Sequence, residues 1–388
     1  MRFRLTGAAL SAALLASAAF PAAAEPVFNR IAVFSVAGNL PADMDPATET
    51  SAEIIAASED GNTLIYSDSP LGAIGFVDIT DMKAPAALGI VTLDGEPTSV
   101  AVSGPKALVG VNTSESYTAP SGFLGVVDIA SRTLESQCDL GGQPDSVAVS
   151  PDGSIVAIAI ENERDEELND GEIPQMPAGD LVIISLNDGV ADCATIKHVA
   201  MTGFSEMVAP TDPEPEFVDI NDDNEIVVTL QENNGIAIID GNTGEVKNHF
   251  SAGTVDISGV DIEKDGKLDF TGSLSGIARE PDTVKWLDND RFAIANEGDY
   301  KGGSRGFSIF SDAGELLYDS GNSFERAVAS IGHFPDKRAD KKGVEPEGMI
   351  KGTFGDTNYL FVLSERASVV GVYDDSAADA PELVQLLP

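Results

Sequence analysis

Short runs of Val, Ile, Ala and Leu recur along the chain, and Gly, Asp or Asn separates each run from the next. After the turn at Glu96 come a first apolar run over 100–102, a second over 107–111 and a third over 123–127. Runs of this length between turn residues predict antiparallel β-strands joined as hairpins. A more polar run follows over 133–140 and predicts a fourth strand at the edge of the same sheet.

This unit of four strands repeats, and repetition at such a period is typical of propellers and solenoids. Each unit begins with an acidic residue or Gln followed by Pro, except for the first unit at 51–79, which lacks the proline. The turns are Glu96-Pro97, Gln143-Pro144, Glu214-Pro215, Glu280-Pro281 and Glu345-Pro346. Six four-stranded antiparallel units predict an all-β fold, a β-propeller. A β-sandwich is the alternative, and it does not explain the repetition.

The number of blades stays open at the level of sequence. An apolar segment at Arg30–Val36 predicts an extra strand, which suits the outer edge of a closing blade. Either six blades close on themselves, or the residues belong to a seven-bladed propeller. The second interpretation is favoured, so that residues 25–388 form a propeller domain truncated at its C-terminus.

The N-terminus predicts export. Arg2 and Arg4 precede an apolar run over 5–20, and small residues up to Ala24 follow it. This is the pattern of a secretory signal peptide over 1–24. No later run reaches the roughly 18 apolar residues of a transmembrane helix. The mature chain is therefore expected in the periplasm or in the extracellular medium.

Composition adds a strong negative charge. The chain has 23 Lys and Arg against 64 Asp and Glu, a net charge of −41. Such a field repels nucleic acids and attracts cations. Cys138 and Cys193 are the two cysteines, and an even pair in an exported protein is typical of a disulfide. Both are predicted in the outermost strands of successive blades, where neighbours splay apart, so the bond stays undecided.

Blade topology predicts where the acids meet. The start of each first strand and the end of each second strand lie on one face, around the mouth of the central channel. Clustered oxygen ligands without thiols favour calcium or magnesium. Alternatively, the acid–Pro turns only end loops and fix the backbone at strand entry. The candidate ligand-binding rim is Glu96, Asp145, Glu161, Glu214, Glu216, Glu232, Asn233, Asp282, Glu297, Asp299, Arg305, His333, Glu345, Glu347, Glu365 and Arg366.

One loop has the spacing of a calcium-binding loop, with alternating acids and Gly266 at its sixth position. Gly272 stands at the twelfth position, where a bidentate carboxylate is expected, so calcium affinity should be reduced. An ordinary hairpin turn is the alternative. The candidate metal ligands are Asp261, Glu263, Asp265, Lys267 and Asp269.

A basic insertion precedes the last acid–Pro turn, with His333, Lys337, Arg338, Lys341 and Lys342. Cations beside metal-binding carboxylates suit a ligand that carries phosphate or carboxylate. The alternative is a basic patch that only balances an acidic surface.

Several motifs resemble a known family, among them Gln231-Glu232-Asn233-Asn234, Arg279-Glu280-Pro281-Asp282 and Glu345-Pro346-Glu347-Gly348. They are similar to the bacterial choice-of-anchor propellers described as phytase-like, or as having the esterase-like activity of phytase. That group is related to surface glycoproteins of biomineralising animal cells. The resemblance implies a secreted or surface-attached propeller with phosphoesterase activity, and it carries no catalytic residues onto this chain.

Three functions follow from these patterns. The first is an exported calcium-binding propeller that binds a ligand or a surface partner without chemistry. The second is a calcium-dependent phosphoesterase acting on a small molecule that carries phosphate. The third is a structural, mineral-associated matrix protein. The residues alone do not decide whether the chain is an enzyme.

Overall fold

Six sheets of four antiparallel strands follow one another along the chain in a computed structural model. The model describes residues 28–377 and 380–388. The predicted signal peptide at 1–24 lies outside these residues. We call the sheets blades 1 to 6 in chain order, and the predicted β-propeller of four-stranded blades is confirmed.

Blades 1 to 3 have their strands at similar spacings, and blade 3 carries an additional short strand, β12. Blade 1 has β1 Ile55–Ala57, β2 Thr63–Asp68, β3 Ala73–Asp78 and β4 Ala86–Thr92. Blade 2 has β5 Glu96–Ser103, β6 Lys106–Asn112, β7 Gly122–Asp128 and β8 Thr133–Asp139. Blade 3 has β9 Pro144–Val149, β10 Ile155–Ile160, β11 Asp180–Asn187, β12 Val190–Ala191 and β13 Lys197–Ala200.

Blades 4 to 6 are separated by a hairpin and by a helix. Blade 4 has β14 Pro215–Ile220, β15 Glu225–Leu230, β16 Gly235–Asp240 and β17 Val246–Ser251. The hairpin is β18 Thr254–Val260 and β19 Gly272–Ala278. Blade 5 has β20 Val284–Trp286, β21 Arg291–Ala295, β22 Phe307–Ser311 and β23 Leu316–Asp319, and α1 Ser323–Ser330 follows. Blade 6 has β24 Pro346–Phe354, β25 Thr357–Ser364, β26 Val369–Asp374 and β27 Glu382–Leu387.

The core lies between the blades. The first strands pack against one another, so that β9 contacts β5 on one side and β14 on the other. Apolar side chains fill each space between consecutive blades, in five clusters that run from the space between blades 1 and 2 to that between blades 5 and 6. Val156 and Ile158, for example, pack against Leu124 of blade 2. No such cluster joins blade 6 to blade 1 in the part of the chain that the structure describes.

One face of the propeller carries the acid–Pro turns, as predicted. Glu96 pairs with Asn112, and Pro346 pairs with Ser364, so first strands begin where second strands end. We call this the upper face. The insertion after β10, the β18–β19 hairpin and the segment that contains α1 all leave the blades at this face. Long loops therefore surround the channel mouth, where loops of a rigid scaffold often carry function.

The strand expected at Arg30–Val36 does not form. Residues 30–34 have no regular structure, and a 3₁₀ turn at Val36–Asn39 follows them. A strand needs a neighbouring strand to satisfy its backbone groups, and these residues have none among those described. The alternation of apolar residues predicted an extended conformation, but it carries no information about the neighbouring strand that a β-strand needs.

The two cysteines are bonded. The Cα atoms of Cys138 and Cys193 are 5.3 Å apart, within the usual range for a disulfide. Cys138 lies in β8 as expected, but Cys193 begins a 3₁₀ turn at Cys193–Thr195 and is not in the predicted outer strand. The turn lies beside blade 2, where the Sγ atom of Cys193 is 3.5 Å from the carbonyl oxygen of Gln137. The bond thus links blades 2 and 3.

Candidate functional site

The proline of each acidic turn separates two acids with different surroundings. The residue before proline is Glu in four of the five turns, at positions 96, 214, 280 and 345. The residue after proline is an acid in the last four turns, namely Asp145, Glu216, Asp282 and Glu347. We call these last four the channel carboxylates, because they stand at the beginning of the innermost strands.

Two of the acids before proline hold loops in place. The carboxylate of Glu345 is fully buried and accepts hydrogen bonds from Nε of Arg338 at 3.0 and 3.1 Å and from Nε of Arg366 at 2.9 Å. Glu280 accepts the backbone N–H groups of Asp299 at 2.8 Å and Lys301 at 2.9 Å. Both have positive φ, 47° for Glu345 and 43° for Glu280, in the left-handed region that non-glycine residues rarely adopt. This conformation turns their side chains into the surrounding loops.

Glu214 belongs to a buried ion cluster centred on Arg164. The guanidinium of Arg164 contacts Glu214 and Glu232, and its Nε donates to Asp212 at 3.2 Å. Burial raises the pKa of Glu214 to about 8, and the charge of Arg164 opposes this rise. Nearby, the backbone N–H of Glu214 donates to Asn233 Oδ1 at 2.8 Å. Of the candidate rim, Glu214, Glu232 and Asn233 therefore serve one loop junction between blades 3 and 4.

The channel carboxylates lack such partners. Asp145, Glu216 and Asp282 accept no side-chain hydrogen bond from the described residues, and the carboxyl of Glu347 shares a hydrogen bond with that of Glu365. Burial raises the pKa of Asp145 and of Glu347 to about 7. Burial, together with repulsion by neighbouring carboxylates, raises the pKa of Glu216 and Asp282 well above the ordinary range. Asp282 is repelled by both Glu347 and Asp145, which joins blades 3, 5 and 6 in one acidic site.

Acids at the ends of second strands extend this site. Burial and the charge of Asp145 raise the pKa of Glu161. Glu297 accepts a hydrogen bond from Gln231 at 2.9 Å, and Nζ of Lys342 lies 3.7 Å from it. The same Lys342 lies 3.5 Å from Asp299. The charge of Lys342 opposes the raised pKa of Asp282, and the charge of Arg366 opposes that of Glu347.

Glu96 and Glu365 lie at the exposed edge of the site. The pKa of Glu96 is raised by partial burial and then by the charges of Glu53 and Glu163. Glu365 is exposed and pairs with Arg366 at 3.0 Å. Glu53 lies just before the first strand of blade 1. It was not among the expected residues, because its unit has no proline to mark the turn.

Two other expected rim residues face away from the channel. Arg305 is buried and donates to the carbonyl oxygens of Asp261 and Ala339, each at 2.7 Å. His333 Nδ1 lies 3.0 Å from the carbonyl oxygen of Ala367. Both side chains therefore fix the insertion that contains α1.

The predicted calcium-binding loop does not bring its carboxylates together. Asp261 is fully buried and accepts the backbone N–H groups of Glu263 at 3.1 Å and Asp269 at 3.0 Å. Asp265 pairs with Lys267 at 2.6 Å. Glu263 and Asp269 are exposed. In this conformation the loop is closed by its own hydrogen bonds, and calcium binding there stays a prediction.

The donors of the acidic site are all oxygen atoms, which is the chemistry that calcium and magnesium prefer. Among the described residues, no group of three His, Cys, Asp or Glu side chains is close enough to hold one metal ion. An ion at the channel carboxylates would therefore keep water among its ligands, which both cations tolerate.

Sequence reasoning missed the role of Arg164, which lies inside an acidic insertion that reads as a solvated loop. A single arginine among five acids over 161–167 was the available signal. Arg164 and Glu163 also line a cleft of about 290 Å³, together with Tyr117, Leu168 and Met176.

Comparison with solved structures supports the fold alone, because every identity given is below 25%. Kuenenia stuttgartiensis hydrazine synthase has a TM-score of 0.51 at 17% identity and covers 84% of this chain and 78% of its own. Virginiamycin B lyase from Staphylococcus aureus has a TM-score of 0.52 at 12% identity, with coverages of 87% and 84%. The WD40 repeats of RRP9 reach a TM-score of 0.57 at 7% identity, with coverages of 88% and 81%.

Comparison with curated protein sequences finds no match. A family description does match: residues 53–302 and 300–378 correspond to the choice-of-anchor I domain. The two matched segments together span blades 1 to 5 and the first three strands of blade 6. No helix in the described part of the chain is long and apolar enough to cross a membrane.

Proposed function

Because the chain belongs to the choice-of-anchor I domain family, we propose that it is an exported, surface-associated propeller that binds calcium at its channel carboxylates. The bound cation would hold a ligand or partner on the upper face. The family and the propeller fold together fit a surface or secreted, partner-binding protein.

The observation that carries this proposal is that none of the channel carboxylates forms an ion pair with a described residue, although Lys342 and Arg366 lie near enough to act on Asp282 and Glu347. Asp282 is only 8% exposed, its carboxylate accepts no hydrogen bond from the described residues, and it is repelled by carboxylates of three blades. Buried like charges are unfavourable unless protons or cations offset them. At neutral pH the channel would therefore take up either protons or a cation.

Calcium and magnesium are preferred over transition metals because the available donors are carboxylates without thiol or imidazole groups. The carboxylates of Glu161, Glu216 and Glu297 lie nearby and supply oxygen ligands for more than one ion. Calcium also suits an extracellular protein, since extracellular modules bind calcium with dissociation constants in the submillimolar to millimolar range.

The phosphoesterase alternative lacks a specific observation in its favour. Its anion site would need basic side chains that are free to meet a phosphate. Arg338 pairs with Glu345, Arg366 with Glu345 and Glu365, and Lys342 with Glu297 and Asp299. We therefore propose binding as the function of this site.

Thermal unfolding in calcium and in chelator, at matched ionic strength, tests the proposal. Calcium at 100 times its dissociation constant should stabilise the fold by about 2.7 kcal/mol for each site. Asp282→Asn and Asp145→Asn should reduce the calcium-dependent rise in Tm, because each removes a ligand charge. The control is Glu315→Gln, which removes an exposed charge outside the channel.

Equal melting temperatures in calcium and in chelator would refute calcium binding. If Asp265→Asn abolishes the rise while Asp282→Asn leaves it unchanged, the ion binds at the 261–269 loop and the channel site is wrong.

A further inference from the structure

Blade 6 presents an uncovered apolar face, and blade 1 presents an exposed apolar residue in its first strand. On blade 6, Ile350 is 57% exposed and Leu363 is 39% exposed. Adjacent Met349 points the other way, into the core shared with blade 5. On blade 1, Ile55 is 58% exposed. We call the space between the Ile350–Leu363 face and the Ile55 face the wedge.

The wedge differs from the other spaces between blades. All six residues of β10 are buried because blades 2 and 4 cover the two faces of blade 3. In β24 and β1, by contrast, several residues are exposed. A propeller covers both faces of every blade with a neighbour. One neighbour is therefore missing between blades 6 and 1 among the residues that the structure describes.

An extended segment crosses the wedge. At one end, Phe28 exchanges two backbone hydrogen bonds with the Gln385 side chain, at 2.9 and 2.7 Å, and its ring packs on Phe361. At the other end, Asn39 Nδ2 donates to the Tyr66 hydroxyl and to the Phe76 carbonyl, both at 3.0 Å. The segment is thus fastened to blade 6 and to blade 1.

Between these anchors, residues 30–34 have no neighbouring strand among the described residues. Ile31 is 57% exposed and Val33 is 77% exposed. The backbone of residues 30–34 makes no hydrogen bond to the other described residues. An unpaired extended backbone with alternating apolar residues is a template for another strand. This is also the segment whose sequence predicts a β-strand.

We propose that the wedge is the docking site for a further antiparallel sheet of three β-strands, which pairs with residues 30–34 as its fourth and outermost strand. Such a sheet would have two apolar faces, one for Ile350 and Leu363 and the other for Ile55. The five spaces already filled between blades use the same kind of contact.

A second copy of the chain is the less suitable occupant. Each copy carries a net charge of −41, so two copies repel one another. The proposal does not depend on calcium, because none of the channel carboxylates lies in the wedge.

The first test uses the full chain as it is. Size-exclusion chromatography with light scattering should show a monomer that binds a hydrophobic dye. Hydrogen exchange at the amides of residues 30–34 should be fast, while β2 and β3 are protected. Ile350→Asp should reduce dye binding without lowering Tm. Ile331→Asp, at an exposed apolar residue outside the wedge, is the control and should leave dye binding unchanged.

The second test supplies a sheet. A copy of residues 96–128, the first three strands of blade 2, is joined after Pro388 by a Gly/Ser linker, so that binding becomes intramolecular. We expect protection of amides 30–34, loss of dye binding and a rise in Tm of roughly 5 °C. Ile350→Asp in the fusion should reverse all three changes.

Three results would overturn the proposal. The first is a dimer of the unfused chain that Ile350→Asp dissociates, which would make a second copy the occupant. The second is protection of amides 30–34 in the unfused monomer. The third is a fusion whose amides, dye binding and Tm are all unchanged.

Discussion

At the scale of single residues, Glu345 and Glu347 show how a structural acid differs from a candidate ligand. Glu345 and Glu347 flank one proline, yet Glu345 is held by two arginines while Glu347 has no cationic partner closer than Arg366. Residues two apart in a regular strand share a face, but Glu345 precedes β24 and has a left-handed φ of 47°, so its side chain leaves the backbone in another direction. The sequence marks both acids equally, and only the arginines, brought in from elsewhere, distinguish them.

The raised pKa values of the channel carboxylates predict a dependence of stability on pH. The folded chain holds protons that the unfolded chain releases between about pH 4 and pH 7, so stability should fall as pH rises through this range. In chelator, Tm should be higher at pH 5 than at pH 8 by roughly 5 °C. Asp282→Asn should reduce this difference, and Glu315→Gln should leave it unchanged. Differential scanning calorimetry measures both.

Carboxyls with lowered pKa do not disturb this test. The hydrogen bond from Lys106 lowers the pKa of Asp128, so its contribution is complete above about pH 4 and stays constant from pH 5 to pH 8. A Tm in chelator that is equal or higher at pH 8 would contradict the assigned protonation of the channel.

At the scale of elements, a turn decides the disulfide. The expected outer strand would have kept Cys193 away from Cys138, because neighbouring blades diverge towards their edges. Instead, Asp192 accepts the backbone N–H of Ala194 and caps a 3₁₀ turn, which places Cys193 beside blade 2. The two blades are thereby linked where their sheets would otherwise separate.

Removal of this link should destabilise the fold. The bond closes a loop of 55 residues, and loop-closure entropy predicts a cost of about 4 kcal/mol for Cys138→Ala with Cys193→Ala. Denaturant unfolding with and without reductant measures the difference, and the double variant should not respond to reductant. Two free thiols in the unreduced, denatured protein would disprove the bond.

At the scale of the whole molecule, the net charge of −41 opposes compaction. Acids outnumber bases nearly threefold, so most of them have no cation nearby. Salt shortens the range of this repulsion from about 30 Å at 0.01 M to about 8 Å at 0.15 M.

Tm should therefore rise between 0.01 and 0.15 M NaCl, by roughly 3 °C, and KCl should act equally because screening is not ion-specific. Calcium at matched ionic strength should add a further rise only if it binds at specific sites. A Tm that is independent of salt would show that the surface acids do not oppose folding.

Local patterns determined the repeats, the four-strand order and the face on which the acids gather, because alternation and turn residues act within a few positions. Side-chain partners depended on the tertiary structure. Arg164 reaches Asp212 and Glu214 from about 50 residues away, and Glu347 meets Glu297 only because blades 5 and 6 stand side by side. The same reason explains residues 30–34, whose sequence specifies an extended conformation but whose pairing requires a neighbouring sheet.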